Sequence, residues 1–232
     1  MITYEYGSPA SRRVLIQPVD DHDLAGIENE AAAIAALAGP DFRLIAVKIQ
    51  DWNRDLSPWE APAVFGKEAF GGGAEQTLAE LLRLCPEKDK RCFLGGYSLA
   101  GLFALWAACR TDAFAGVAAA SPSVWFPGFT DYVQEHGLQC GRVYLSLGDR
   151  EEKTRNPVMA TVGDRIRALS AWLSARGTDC VLEWNPGNHF RDPDLRTAKA
   201  FAWMLRESSA ANSAGNPSVI GWNKTIQRSP DA

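Results

Sequence analysis

Short runs of apolar and β-branched residues alternate with segments of helical periodicity along most of this sequence. The alternation is typical of a mainly parallel sheet covered by helices, because each parallel strand needs a crossover before the next one begins. The runs that we predict to be strands are 13–17, 43–49, 91–95, 116–120, 143–147 and 180–184. Helical segments separate them at 27–37, 74–85 and 99–110, then from Asn156-Pro157 to Gly177, and a last helix opens at Asp192-Pro193.

The length and composition indicate one globular domain. Of the 232 residues, 46% are hydrophobic and 22% are charged, which is ordinary for a soluble protein with one sizeable core. From residue 208 the composition changes to Ser, Ala, Asn, Gly and Pro. We therefore predict a single domain over residues 1–207 and a poorly ordered tail over 208–232.

Charge and cysteine usage narrow the classes of partner. A formal net charge of −4, without a run of basic residues, argues against a nucleic-acid partner. The N-terminus lacks the basic and apolar regions of a secretory signal, and no apolar run is long enough to cross a membrane. Five cysteines without a CxxC pair suit a reducing compartment and predict no metal site. The expectation is a cytoplasmic protein with no membrane partner.

A serine lies between a predicted strand and a predicted helix, in Gly96-Tyr97-Ser98-Leu99-Ala100-Gly101. The pattern G-x-S-x-G marks a tight strand-to-helix turn that holds a serine hydroxyl clear of its backbone, and only small residues fit around it. Here Ala100 fills the last small position. The alternative is an ordinary turn in which the serine caps the helix. The setting favours Ser98 as the nucleophile of acyl-transfer chemistry.

Three histidines compete for the role of general base. His136 ends a short helix, where a histidine complements the helix dipole, and His22 precedes the serine, next to three aspartates. His189 lies in a loop between the last strand and the last helix. Sites in α/β sheets are assembled from loops at the carboxyl ends of the strands. We therefore predict His189 as the base.

The acid that orients this histidine is expected after the strand 143–147. In folds with a nucleophilic serine in such a strand-to-helix turn, the chain carries the serine first, then the acid, then the histidine. Three carboxylates compete there: Asp149, Glu151 and Glu152. We favour Glu151, then Asp149. At least one of the three is expected to be a solvated loop charge.

A long irregular stretch, residues 50–73, carries two tryptophans, Trp52 and Trp59. Loops of this length in compact domains usually carry function, and aromatic side chains favour an ordered one. We predict that both tryptophans line a substrate pocket with a preference for flat acyl groups.

The segments GGYSLAGLFALWA, AASPSVWF, SLGDREEKT and NPGNHF resemble an esterase family of α/β-hydrolases. The family includes siderophore esterases, feruloyl esterases and esterase D-like S-formylglutathione hydrolases. The similarity covers most of 11–205; Ser57-Pro58-Trp59 and Gly71-Gly72-Gly73-Ala74 are especially similar to siderophore esterases. It implies an α/β-hydrolase fold without a large lid, serine ester hydrolysis without a metal or other cofactor, and Glu151 as the acid.

One segment departs from that family. Its members usually carry a glycine in the oxyanion loop after the first core strand, whereas this chain has Gln17-Pro18-Val19-Asp20-Asp21. The resemblance implies that the backbone N–H groups of Leu99 and of Asp21, or Asp20, bind the oxyanion. A nearby negative charge would oppose an oxyanion unless it is paired or turned away.

The leading hypothesis is therefore a serine carboxylic ester hydrolase that acts on a small-molecule ester, of aryl or siderophore type. Two alternatives remain open. One is an acyltransferase on the same scaffold, in which another acceptor replaces water. The other is a binding protein that has kept the fold and lost the activity, which the acidic oxyanion loop would explain.

Overall fold

The computed structural model describes residues 1–85 and 90–206. The predicted tail, 208–232, lies outside the described residues, so its order and the domain boundary at 207 stay predictions. The strands are Ile2–Gly7 (β1), Arg13–Val19 (β2), Arg43–Lys48 (β3), Glu60–Ala61 (β4), Phe70–Gly71 (β5), Arg91–Tyr97 (β6), Gly116–Ala120 (β7), Arg142–Gly148 (β8) and Asp179–Asn185 (β9). The helices are Asp21–Ala38 (α1), Trp52–Asp55 (α2), Ala74–Leu82 (α3), Leu99–Arg110 (α4), Phe129–His136 (α5), Val162–Ala175 (α6) and Pro193–Leu205 (α7).

Seven strands form one sheet in the order β1-β3-β2-β6-β7-β8-β9, and β4 pairs with β5 in a small separate sheet. All neighbours in the large sheet are parallel except β1, which pairs antiparallel with β3. The apolar runs predicted as strands all lie in this sheet. Strand β1 was not predicted, because its residues are mostly exposed and form no apolar run.

Helices cover both faces of the sheet. On one face, α1 and α7 pack over a core that contains Ile34 and Phe201. On the other face, α3, α4, α5 and α6 pack over a larger core that contains Phe103 and Phe126. Helix α4 is buried along nearly its whole length, which explains why its sequence is apolar on every side.

Asn156 and Pro157 do not open α6 directly. The Asn156 side chain accepts hydrogen bonds from the N–H groups of Val158 and Met159, at 3.0 and 3.2 Å. A 3₁₀ turn at Met159–Thr161 follows, and α6 begins only at Val162. The asparagine therefore caps a turn that precedes the helix, and Val158 in this turn is exposed.

Candidate active site

Ser98 occupies the turn between β6 and α4 in a strained backbone conformation, with φ 56° and ψ −118°. Residues other than glycine rarely adopt a positive φ, and such strain persists only where the surroundings fix it. The neighbouring small residues make the turn possible. A Cβ added to Gly96 would lie 2.6 Å from the Ala100 Cβ, and one added to Gly101 would lie 3.0 Å from the Gly96 oxygen.

His189 reaches this serine from the loop between β9 and α7. Its Nε2 lies 3.0 Å from the Ser98 Oγ. The loop is held in place by Tyr97, whose hydroxyl donates a hydrogen bond of 2.7 Å to the His189 carbonyl oxygen. By contrast, His136 stacks on Tyr132 at the end of α5. His22 lies in the first turn of α1 and lines the cavity in front of Ser98.

Glu151 lies on the other side of the imidazole, in a 3₁₀ turn that follows β8. Its Oε2 is 2.7 Å from the His189 Nδ1. Its Oε1 accepts hydrogen bonds from the Gly148 N–H at 2.7 Å, the Ser121 hydroxyl at 2.8 Å and an Arg196 N–H at 2.9 Å. The carboxylate is buried, and all these contacts fix its orientation toward the histidine.

The two competing carboxylates point elsewhere. Asp149 is exposed and accepts a hydrogen bond of 2.8 Å from the Gly187 N–H, which ties the β8 loop to the loop of His189. Glu152 pairs with Arg167 on α6, with N–O distances of 3.0 and 2.9 Å. Of the three candidates, Glu151 is the one that contacts His189.

Arg196 is a site residue that sequence analysis missed. It lies on α7, is 2% exposed, and contacts Glu151, Tyr97 and Ser121 through one guanidinium nitrogen. The other nitrogen donates to two carbonyl oxygens of the His189 loop, both at 3.0 Å. It thus joins the acid to the loop of the base. The sequence offered one signal for its burial: this arginine lies four residues before Ala200, on the apolar face of a helix.

Two helices begin at the edge of the sheet where Ser98 lies. Strands β2 and β6 are parallel neighbours. After β2 comes Asp20, and α1 starts at Asp21. After β6 comes Ser98, and α4 starts at Leu99. The first N–H groups of a helix lack a partner within it and carry partial positive charge. The backbone N–H groups of Asp21 and Leu99 therefore stand at the same edge of the sheet.

Three acidic side chains lie at the start of α1. Asp20 caps α1 by accepting a hydrogen bond of 2.8 Å from the Asp23 N–H. The Asp21 carboxylate is largely exposed and pairs with the Lys48 ammonium at 2.6 Å. Burial, and then the charge of Asp20, raise the pKa of Asp23 to about 7. Two of these three carboxylates thus have partners, and the third is partly protonated near neutral pH.

A cavity of about 490 Å³ opens in front of Ser98 and His189. Its walls are largely aromatic and apolar, and they include Trp52, Phe65, Tyr97, Trp125, Met159 and Phe190. Trp52 is therefore placed as predicted, whereas Trp59 does not line this cavity. The Trp59 ring packs against Phe126 and Tyr132, and its N–H donates to the Pro127 oxygen at 3.1 Å, so its place is structural. The second tryptophan in the wall of this cavity is Trp125, on the loop after β7.

No protein-family model matches this chain, and no curated protein sequence matches it. Solved structures do resemble it. The siderophore hydrolase EstA from Aspergillus nidulans is 22% identical, with a TM-score of 0.63 over 86% of this chain and 85% of EstA. An IroE-like serine hydrolase from Shewanella oneidensis is 16% identical, with a TM-score of 0.67 over 88% of this chain and 75% of that protein. This chain has the α/β-hydrolase fold.

A third structure, the enterobactin esterase FES from Shigella flexneri in the presence of 2,3-dihydroxy-N-benzoyl-serine, is 17% identical. Its TM-score is 0.57, over 88% of this chain and 54% of that one. The comparisons confirm the architecture that the sequence predicted. Because one fold hosts many activities, the fold alone does not fix the activity of this chain.

The order of the clustered residues is that of the α/β-hydrolase fold, with the serine first, the carboxylate next and the histidine last. Ser98 follows β6, Glu151 follows β8 and His189 follows β9. Within 1–85 and 90–206, no group of histidine, cysteine and carboxylate side chains is arranged to hold a metal. No helix in these ranges is long and apolar enough to cross a membrane.

A second cavity, of about 450 Å³, adjoins the first at His189 and Phe190. Two basic side chains, Arg150 and Lys153, lie along it together with Trp125 and Met159. His189, which contacts Ser98, thus stands where two clefts meet.

A buried acid lines another cavity, which shares His22 and Phe190 with the first. Glu30 on α1 is 2% exposed, and its only hydrogen bond in the described part of the chain comes from the Gln17 amide at 3.3 Å. Burial raises the pKa of Glu30 well above its ordinary value of 4.5. The folded protein therefore keeps a proton that the unfolded chain loses above that pH. Consequently, Glu30 lowers the free energy of unfolding as the pH rises.

Proposed function

We propose that this protein is a serine carboxylic ester hydrolase that works through Ser98, His189 and Glu151. The observation that carries the proposal is the hydrogen-bonded chain from Glu151 through His189 to Ser98, with distances of 2.7 and 3.0 Å. The strained φ of Ser98 supports it, because backbone strain of this kind clusters at functional sites. An ordinary capping serine does not account for these contacts, since Ser98 makes no side-chain cap to α4.

The acylation step follows from this geometry. Glu151 accepts the Nδ1–H of His189, which leaves Nε2 free to accept the Ser98 proton. The Ser98 Oγ attacks the ester carbonyl carbon, and the carbonyl oxygen becomes an oxyanion. The N–H groups of Leu99 and Asp21 stabilise that charge at the two helix N-termini. The intermediate then collapses to an acyl-serine, and the alcohol leaves with the proton held by His189.

Deacylation repeats these steps with water. His189 accepts a proton from a water molecule, whose oxygen attacks the acyl-serine carbonyl. A second oxyanion forms on the same N–H groups, and its collapse returns the proton to the Ser98 oxygen and releases the acid. The proposed cycle uses side chains and backbone groups of this chain alone, so it calls for no metal or cofactor.

For the substrate class we propose esters of flat, aryl-type acids, siderophore-type esters included. The wall of Trp52, Phe65 and Trp125 supports this choice, because aromatic rings stack with ring centres about 4.5–7 Å apart. Two of the structural neighbours, a siderophore hydrolase and an enterobactin esterase, point in the same direction. We further propose that the substrate is a small molecule and that the protein works in the cytoplasm.

A fluorophosphonate probe tests the nucleophile directly. The wild-type protein should gain one adduct, which peptide mapping should place on Ser98, and Ser98→Ala should gain none. Hydrolysis of aryl esters should fall by roughly 10⁵-fold or more in Ser98→Ala with folding intact. Full activity of a clean Ser98→Ala preparation would contradict the proposal.

The same preparations separate the two alternatives. A binding protein without activity would leave Ser98 unlabelled and aryl esters intact. The ion pair of Asp21 with Lys48 weakens this alternative, since it pairs one of the two charges that would oppose an oxyanion. An acyltransferase would label like an esterase, but an added alcohol or amine would divert most of the acyl group from water. Product analysis with added nucleophiles therefore distinguishes the two enzymes.

A further inference from the structure

Two cysteines lie in contact beside the strand that leads to the serine. The Sγ atoms of Cys85 and Cys92 are 3.1 Å apart. Cys92 is the second residue of β6 and is buried, whereas Cys85 is half-buried in the turn after α3. The other three cysteines make no such contact. The nearest polar partners of Cys109 and Cys140 are backbone oxygens, and that of Cys180 is the Ser170 hydroxyl at 3.9 Å.

The surroundings favour a bond between these two sulfurs. A disulfide has an S–S length of about 2.05 Å, so an approach of roughly 1 Å would close it. Cys92 is held from both sides, since it is paired with Val14 in the sheet and its carbonyl oxygen accepts the Ala115 N–H at 2.7 Å. Cys85 lies beyond the end of α3, where its N–H bonds to the Leu82 oxygen at 3.2 Å. A turn at a helix end adjusts more easily than a central strand, so we expect Cys85 to move toward Cys92 when the bond forms.

We propose that Cys85 and Cys92 form a dithiol that peroxide oxidises to an intramolecular disulfide. This modification site is separate from the ester-hydrolysing residues and does not depend on the proposed function. The Cys85 thiolate attacks one oxygen of hydrogen peroxide, which breaks the O–O bond and gives a sulfenic acid and hydroxide. The Cys92 sulfur then attacks the Cys85 sulfur, and the sulfenic oxygen leaves as water. Two thiols are oxidised and one peroxide is reduced to two waters.

The order of the two attacks follows from the environment of each thiol. Cys85 is the more exposed of the two, and a hydrogen bond from Cys92 lowers its pKa. The same contact, followed by burial, raises the pKa of Cys92. The thiolate is the nucleophile in such reactions, so Cys85 reacts first and Cys92 resolves the sulfenic acid.

The bond would stabilise the folded chain. It would link the end of α3 to β6 and close a short ring in the unfolded state, which lowers the entropy of that state. For a ring of this size in a chain of this length, we expect a rise in Tm of roughly 5–10 °C. Dithiothreitol should reverse the rise.

The test uses the full chain, reduced and then treated with a small excess of hydrogen peroxide. Intact mass should fall by two hydrogens, the titratable thiols should fall from five to three, and peptide mapping should find Cys85 joined to Cys92. The variants Cys85→Ser and Cys92→Ser should show neither the bond nor the dithiothreitol-sensitive Tm. Cys180→Ser, which changes another half-buried cysteine, should behave like wild type.

Other outcomes would overturn the proposal. They are five thiols that remain free, a gain of oxygen on Cys85 that Cys92 does not resolve, and a disulfide that uses another cysteine. All readouts are independent of ester hydrolysis. An inactive protein that forms the bond would therefore refute the proposed function and not this one, and an active esterase without the bond would refute only this one.

Discussion

Replacing Glu151 with glutamine tests the proposed triad at the residue where the sequence left a choice. The amide of Glu151→Gln has one oxygen acceptor and one NH₂ donor. Three donors meet Oε1, from Gly148, Ser121 and Arg196, at 2.7–2.9 Å, so the amide oxygen should stay there. The NH₂ group then faces the His189 Nδ1, where Oε2 stood at 2.7 Å.

This arrangement reverses the histidine tautomer. Because the NH₂ group donates, Nδ1 has to accept, and the ring proton moves to Nε2, opposite the Ser98 Oγ. An Nε2–H cannot accept the serine proton. The corresponding change in other serine triads lowers kcat by about 10⁴-fold, which amounts to about 5.4 kcal/mol of activation free energy. The loss should be smaller than that of Ser98→Ala, since the acid orients the base and does not attack.

The same substitution also affects folding, which the assay has to separate from catalysis. Arg196 is 3% exposed in its side chain and would lose its charged partner at 2.9 Å. Breaking a buried pair costs about 3–5 kcal/mol. Activity should therefore be measured well below the Tm of the variant, with the native fold checked by circular dichroism.

Asp149→Asn is the matched control. The exposed Asp149 accepts a hydrogen bond from the Gly187 N–H, and an asparagine oxygen can still accept it. Its kcat should change little, and its main effect should be on stability. If a folded Glu151→Gln keeps more than about a tenth of the wild-type kcat, the orienting role of Glu151 is refuted. A larger kcat loss in folded Asp149→Asn would exchange the two roles, and no loss in either variant would indicate a Ser–His dyad.

Three further predictions concern the base, the pocket wall and the buried acid. His189→Ala should abolish ester hydrolysis while His136→Ala keeps it, and equal losses in a kinetic assay would reject His189 as the base. Trp52→Ala should raise KM for aryl esters more than for acetyl esters, whereas Trp59→Ala should mainly lower Tm, since its ring fills a packed cluster. Glu30→Gln should raise the free energy of unfolding relative to wild type as the pH rises from about 5 to about 8, because glutamine carries no charge to bury. The difference should grow by up to about 1.4 kcal/mol per pH unit. A Tm difference that does not grow with pH in calorimetry would contradict this account of Glu30.

Local features of the sequence predicted most of the fold. The buried strands were visible because parallel strands covered on both faces are continuous apolar runs. The turn at Ser98 was visible because a strained backbone beside a close helix needs small neighbours, and Gly96, Ala100 and Gly101 provide them. Strand β1 was missed for the opposite reason: it pairs at the edge of the sheet, and its exposed side chains leave no apolar run.

The sequence by itself determined which loops carry the site, because a strand that ends in a loop can be located from a few neighbouring residues. It placed Ser98, His189 and three candidate acids at one edge of the sheet. Only the tertiary structure decided which acid meets the histidine, since Glu151 and His189 lie 38 positions apart. It likewise placed Trp52 in the cavity and Trp59 outside it, and it brought Arg196 to the acid from 45 positions away. The direction of a side chain depends on the packing of elements distant in sequence, and no local pattern encodes that packing.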